Sequence, residues 1–137
     1  MILVDTNVWS ELTRTVPDAN VQQWEREHGE RLWLSTVVLG ELLSGAHLLP
    51  DGKRKDAFLA GYDGLIAAKS ERIADFDEAA ARHYGQVIAF LEKAGRNPTT
   101  CDGQIAATAL ARGLQLATRN TKDFEGLGLD LIDPWQS

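Results

Sequence analysis

The sequence predicts an α/β fold with a mostly parallel central sheet and helices on both of its faces. Three observations carry this. Short apolar segments alternate with helix-length amphipathic ones along the whole chain. The first segment, Ile2-Leu3-Val4, is apolar without alternation, as a strand covered on both faces requires. No repeat, low-complexity tract or linker breaks the alternation, so residues 1–137 read as one domain of common size.

Each element has a local reason. Asp5-Thr6-Asn7 stops the first strand, and Thr6 or Asn7 is placed to cap a short helix through Trp9, Ser10 and Leu12. Pro17-Asp18 restarts the chain. Val21, Trp24 and His28 then recur at helical spacing until Gly29. Leu32-Trp33-Leu34 is a second strand. Ser35 or Thr36 caps the next helix, which carries Val38, Leu39, Leu42, Leu43 and Ala46 and fades at Leu49-Pro50. Asp51-Gly52-Lys53 is a turn. A helix follows from Arg54 to Ala68, interrupted by Gly61 and Gly64, and the stretch Glu71 to Phe76 holds a third short strand. Asp77 opens the most regular helix, with Ala80, Tyr84, Val87, Leu91 and Ala94 on one stripe before Gly95. Thr100 or Cys101 precedes a helix from Asp102 to Arg112, and Gly113 fits the position just past its end. Leu114 to Thr118 is a strand, Arg119 to Glu125 a polar loop, and Leu129 to Ile132 the last strand, closed by Pro134.

Composition excludes several functions. With 14 Lys and Arg against 20 Asp and Glu, the net charge is −6, the wrong sign for a broad basic surface on nucleic acid. The one cysteine, Cys101, excludes an intrachain disulfide and a cysteine-based zinc site. No apolar run approaches a bilayer's width, and the first residues already read as a buried strand. The expectation is a cytoplasmic protein without a membrane span or leader.

In open parallel sheets, ligands bind beyond the carboxyl ends of the strands. Asp5 ends the first strand there. Glu41 lies about two turns into the helix after the second strand. Asp102 starts the helix before the fourth strand, and Asp123 lies in the loop after it. Asn7, Thr118 and Asn120 are neutral hydrogen-bonding groups beside them, and no lysine or histidine holds a comparable position. Gathered carboxylates repel one another and call for a cation. Oxygen-only ligands select Mg²⁺ or Mn²⁺ over zinc. Such ions activate water and stabilise charge in phosphoryl displacement. The chemistry points to a metal-dependent phosphodiester hydrolase, although sequence spacing alone does not bring the four acids together.

Four segments make the reading specific: MILVDTNVWSEL, STVVLGELLSG, DGQIAATALARGLQLATRNTKDFEGLGL and LIDPW. In order and spacing they resemble PIN-domain proteins, nearest the VapC and FitB type of toxin in bacterial toxin–antitoxin pairs. The resemblance spans nearly the full length. It implies a three-layer α/β/α PIN-like fold, a homodimer and an endoribonuclease with a Mg²⁺ or Mn²⁺ site. It also implies a cognate VapB- or FitA-like antitoxin whose tail blocks the active site, and an assembly that reaches operator DNA through that antitoxin. Asp5, Glu41, Asp102 and Asp123 match the family's four acidic positions, as catalytic groups and metal ligands. Thr6 and Asn7 match positions that buttress the site. Asn120 competes with Asp123 as fourth direct ligand. Gly103-Gln104 depart from the bulkier residues of many relatives.

Other residues have plainer readings. Asp5 and Asp102 also suit helix caps. His28 fits a packed edge, and Cys101 a semi-buried thiol. The four tryptophans read as core and dimer packing groups, with Trp9 a minor candidate for stacking on a base. Arg14, Arg119 and Lys122 are the cations nearest the acids and are candidates for RNA phosphate contacts. Two other functions compete: a silent PIN-like module that only binds RNA or protein, and a response-regulator-type phosphoacceptor. The latter needs an acidic pair after the first strand and a lysine after the last, and the sequence has neither.

Overall fold

The structure is a computed structural model and describes residues 1–136. Five strands form one sheet in the order β3-β2-β1-β4-β5, and every pairing is parallel. The strands are β1 (Ile2–Val4), β2 (Leu32–Ser35), β3 (Ile73–Ala74), β4 (Gln115–Ala117) and β5 (Leu131–Ile132). The helices are α1 (Thr6–Leu12), α2 (Ala19–His28), α3 (Thr36–His47), α4 (Lys53–Ala68), α5 (Glu78–Lys93) and α6 (Thr100–Arg112). Ile2, Leu3 and Val4 are all at most 1% exposed, so the central strand is covered on both faces as its apolar triplet requires.

The chain builds β1, β2 and β3 outward to one side and then crosses to place β4 on the other side of β1. The strand order therefore reverses between β1 and β4, with the chain leading from β1 outward to β2 on one side and from β4 outward to β5 on the other. A crevice opens there at their carboxyl ends.

The boundaries depart from the sequence reading at several points. Asp5, not Thr6 or Asn7, caps α1, because its own carboxylate accepts the Thr6 N–H. Gly61 and Gly64 do not interrupt α4. A Cβ at either would meet nothing nearby, so the helix simply continues through them. Helix α6 begins at Thr100 with Thr99 as its cap, which moves Asp102 from the helix start into the first turn. The last strand shrinks to Leu131–Ile132, and 3-10 turns occupy Gly29–Arg31, Thr121–Phe124 and Pro134–Gln136. Ser35, Asp77 and Gly113 act at the helix ends where the sequence places them. His28 stacks on Trp24, and its Nδ1 lies 2.8 Å from the Trp24 carbonyl oxygen, a packed histidine.

Candidate active site

Asp5 leaves the sheet at the point where strand order reverses. Its N–H donates to the Ala117 carbonyl at 2.9 Å, continuing the β1–β4 ladder by one bond. Its side chain then takes the first free N–H of α1. Oδ1 accepts from Thr6 N at 2.7 Å, and Oδ2 accepts from the Thr118 hydroxyl at 2.7 Å. The Thr118 oxygen in turn accepts from Asn120 N at 3.1 Å. Asn7 donates to that oxygen at 3.4 Å and accepts from Arg119 N at 3.3 Å. Strand end, helix start and the loop after β4 are thus tied around one carboxylate that is 4% exposed. The cap reading of Asp5 holds through Oδ1, while Oδ2 is turned to Thr118.

Glu41 is carried on α3 and accepts from the Thr6 hydroxyl at 2.5 Å. Asp102 lies in the first turn of α6, its N–H donating to Thr99 Oγ1 at 3.1 Å. The next residue, Gly103, is buried against α5. A Cβ there would come within 2.7 Å of Ile88 Cδ1 and 3.0 Å of Tyr84 Cε1. The departure from bulkier residues at this position is what lets α5 and α6 close around the Asp102 turn.

Asp5, Glu41 and Asp102 line one open cleft of about 560 Å³, with Thr6, Asn7, Arg14, Arg119, Asn120 and Trp135 among its walls. Asp123 lines the neighbouring cavity of about 290 Å³, which shares Asp102 with the first. It is exposed on the 3-10 turn Thr121–Phe124. Thr118 is fully buried behind Asp5. Of the basic candidates, Arg14 pairs with Glu11 at 3.3 Å, and Arg119 lines the acid cleft. Lys122 lines neither cavity, and its carbonyl accepts from Arg96. Trp9 is 5% exposed and so offers no face to a base.

Burial raises the Asp5 carboxyl above its ordinary value. Asp102 and Glu41 push it the same way, against the hydrogen bonds from Thr118 and Thr6. Burial also raises Asp102, opposed by the Thr99 hydroxyl and reinforced by Asp123 and Glu41. Asp102 therefore feels an acid from each of the two cavities, Glu41 from one and Asp123 from the other. Burial, then the adjacent Glu41 carboxylate, to which the thiol donates, and then Asp102 hold the Cys101 thiol up. A thiol kept protonated is a poor nucleophile, which agrees with its reading as a structural group.

Among the described residues, no three His, Cys, Asp or Glu side chains converge on one point as a complete ligand cage would. The donor set still fits a hard divalent cation. It is made only of carboxylate oxygens, and it lacks any ion-paired Lys or Arg among the described residues. Mg²⁺ in particular takes one or two carboxylates and keeps several waters rather than a full protein cage.

Sequence reasoning gave three residues of this region no role in the site. Thr99 caps the Asp102 helix. Arg96 donates to the carbonyls of Glu125 at 2.6 Å and Lys122 at 3.1 Å, which fixes the turn bearing Asp123. Trp135 stands in the cleft wall beneath Arg119. Only Trp135 left a signal, the closing LIDPW segment, and its place beside residues from the start of the chain is a matter of tertiary structure.

The PIN domain family model matches residues 2–128. The chain is 41% identical to the VapC ribonuclease Y4jK of Sinorhizobium fredii, across 99% of each chain. It is 35% identical to toxin FitB of Neisseria gonorrhoeae, across 98% of this chain and 99% of that one. It superposes on a structure of FitAB bound to an IR36 DNA fragment with a TM-score of 0.92 at 34% identity, covering 98% of this chain and 96% of the other.

Proposed function

Because the chain belongs to the PIN-domain family, we propose that it is a divalent-metal-dependent endoribonuclease and the toxin of a toxin–antitoxin pair. The observation that carries this is the meeting of Asp5, Glu41 and Asp102 in one cleft at the strand-order reversal, with no Lys or Arg among the described residues within ion-pair distance of them. We assign Asp5, Glu41 and Asp102 as ligands of a Mg²⁺ or Mn²⁺ ion, with Asp123 approaching from the far side of Asp102. Asn120 lines the same cleft as the first three and stays the alternative fourth ligand.

When bound, the ion supplies an activated water and neutralises charge on the scissile phosphate. The protein's own part is orientation. Thr118 and Thr6 fix the two Asp5 oxygens, and the Thr6 hydroxyl fixes Glu41. Arg119 stands in the cleft as the cation available to an RNA phosphate. Residues 1–137 act as one PIN domain, and as a homodimer. Its partners are RNA and a VapB- or FitA-like antitoxin that closes the cleft and carries the assembly to operator DNA. Among the described residues no helix is long and apolar enough to cross a membrane, in keeping with a cytoplasmic site of action.

The test is RNA cleavage by purified protein. Cleavage should require Mg²⁺ or Mn²⁺, stop with EDTA and be absent from Asp102→Ala. Expression should arrest growth, and the same substitution should relieve the arrest. Cleavage by Asp102→Ala at the parent rate would remove the assigned site. A parent that binds RNA without cutting it would leave the silent binding module as the correct function.

A further inference from the structure

One residue of the cleft has no part in the chemistry above. Trp135 lies in the 3-10 turn Pro134–Gln136 and lines the same cleft as Asp5, Glu41 and Asp102. The Arg119 guanidinium carbon sits 4.9 Å from its ring centroid, a closer approach than the 5.7 Å of Arg54 to Phe58 or the 6.0 Å of Lys69 to Trp9. No carboxylate among the described residues lies within ion-pair distance of Arg119.

That arrangement is unexpected on electrostatic grounds. A guanidinium sharing a cleft with four carboxylates, of which, among the described residues, only Glu11 is already paired, with Arg14, is drawn to form a charge-assisted, bidentate pair with one of the others. Here it lies on an aromatic face instead. The backbones that carry the two side chains are held independently of the stack. Trp135 N donates to Asp133 Oδ1 at 2.9 Å, and the Trp135 carbonyl accepts from Asn20 of α2 at 2.9 Å. The Arg119 N–H is tied to Asn7 Oδ1.

We propose that Trp135 is a positioning residue: it holds the Arg119 guanidinium off the acid cluster, so that the cation meets an RNA phosphate and does not compete with the metal. This rests on the ribonuclease reading. Without the ring, Arg119 is free to fall onto the carboxylates and neutralise them, which is the ion's own place.

The experiment is calorimetric titration of the full chain with Mn²⁺ in the absence of RNA, beside steady-state cleavage of single-stranded RNA. Trp135→Ala should weaken Mn²⁺ binding by about three- to tenfold, the range a cation–π contact supports. Trp135→Phe, which keeps an aromatic face, should bind as the parent does. The double variant Trp135→Ala/Arg119→Ala should recover parental Mn²⁺ affinity, because the competitor is gone. A merely structural role for Trp135 would not be reversed by removing Arg119. In cleavage at saturating metal, Arg119→Ala should raise KM more than it lowers kcat. Parental Mn²⁺ affinity in Trp135→Ala, or a double variant as weak as Trp135→Ala, overturns the proposal while the parent's cleavage still supports the nuclease. A parent that binds no Mn²⁺ overturns both.

Discussion

The two ends of the acid cluster are built in opposite ways. Asp5 is 4% exposed at the end of a central strand, and hydrogen bonds from Thr6 and Thr118 fix its two oxygens separately. Asp123 is exposed on a 3-10 turn, and what is held there is the backbone, through Arg96 and the carbonyls of Lys122 and Glu125. One carboxylate is fixed in orientation before any ion arrives. The other has a fixed anchor and a free side chain. A buried, preset acid makes a ligand that is costly to replace; an exposed one makes a ligand that can be dispensed with or supplied by water.

The largest expected effect follows from this difference. Asp5→Asn keeps the shape and an acceptor for Thr6 N but removes the charge. It should lower cleavage by roughly a thousandfold or more at every Mg²⁺ concentration, as loss of a metal-held nucleophile does. Asp123→Asn should cost about tenfold, the scale of a secondary ligand's support, and most of that should return as Mg²⁺ is raised. Cleavage rates against Mg²⁺ concentration for the two variants measure this. Equal and irreversible losses would mean that Asp123 belongs to the metal site on the same terms as Asp5, despite lining the neighbouring cavity.

Asp102 joins the two cavities, and its place depends on the close approach of α5 and α6 at Gly103. Gly103→Ala puts a methyl against Ile88 Cδ1 and Tyr84 and should destabilise the fold by about 1–2 kcal/mol, the usual cost of overpacking. Adding Ile88→Ala should recover part of that loss, because the nearest clashing atom is a side-chain end. Denaturant unfolding midpoints of the two variants decide it. An unchanged midpoint for Gly103→Ala would show that α5 yields without cost and that the helix pair does not set the Asp102 position.

This same asymmetry explains what the sequence could and could not reveal. Asp5 was legible because a carboxylate at the end of an unalternating apolar triplet has few bland explanations beyond a cap, and it is a cap as well. Glu41 and Asp102 were legible from the segments that carry them. Their sharing of one cleft with Asp5 was not, because it depends on the crossover that places β4 beside β1 rather than beyond β3. The division of the acids between two cavities was also invisible, since it turns on whether Asp123 faces Asp102 from the cleft side or from the Leu91 and Phe124 side. Trp135 was read as packing because its chemistry arises from its neighbour Arg119, sixteen positions away, and a single aromatic carries no sign of which cation it meets. Gly103 departs from the bulkier residues of many relatives. Its reason lies in the partner helix, which local propensity does not describe.

The smallest expected effect is on the pH slope of stability, and it tests whether the buried end of the cluster stores repulsion. Asp5 and Asp102 both have carboxyl values raised above the unperturbed 3.8, first by burial, and then Asp5 by Asp102 and Glu41, and Asp102 by Asp123 and Glu41. A raised value means that the folded, metal-free chain holds these protons more tightly than the unfolded chain does. Their contribution to stability is therefore fully present below about pH 3.8, where both states are protonated. It is lost as the pH rises through the raised values. In EDTA, the stability supplied by these two groups should fall as the pH rises from about 4 toward neutral, and Asp5→Asn should flatten that slope. Mg²⁺ should restore stability at neutral pH, by about 2.7 kcal/mol when present at a hundred times its Kd, because it binds the folded chain alone. Thermal melts of parent and Asp5→Asn across that range, with EDTA and with Mg²⁺, measure both effects. If the two proteins show the same slope in EDTA, Asp5 carries no stored repulsion. The orientation of its oxygens by Thr6 and Thr118 would then be the whole of the difference between it and Asp123.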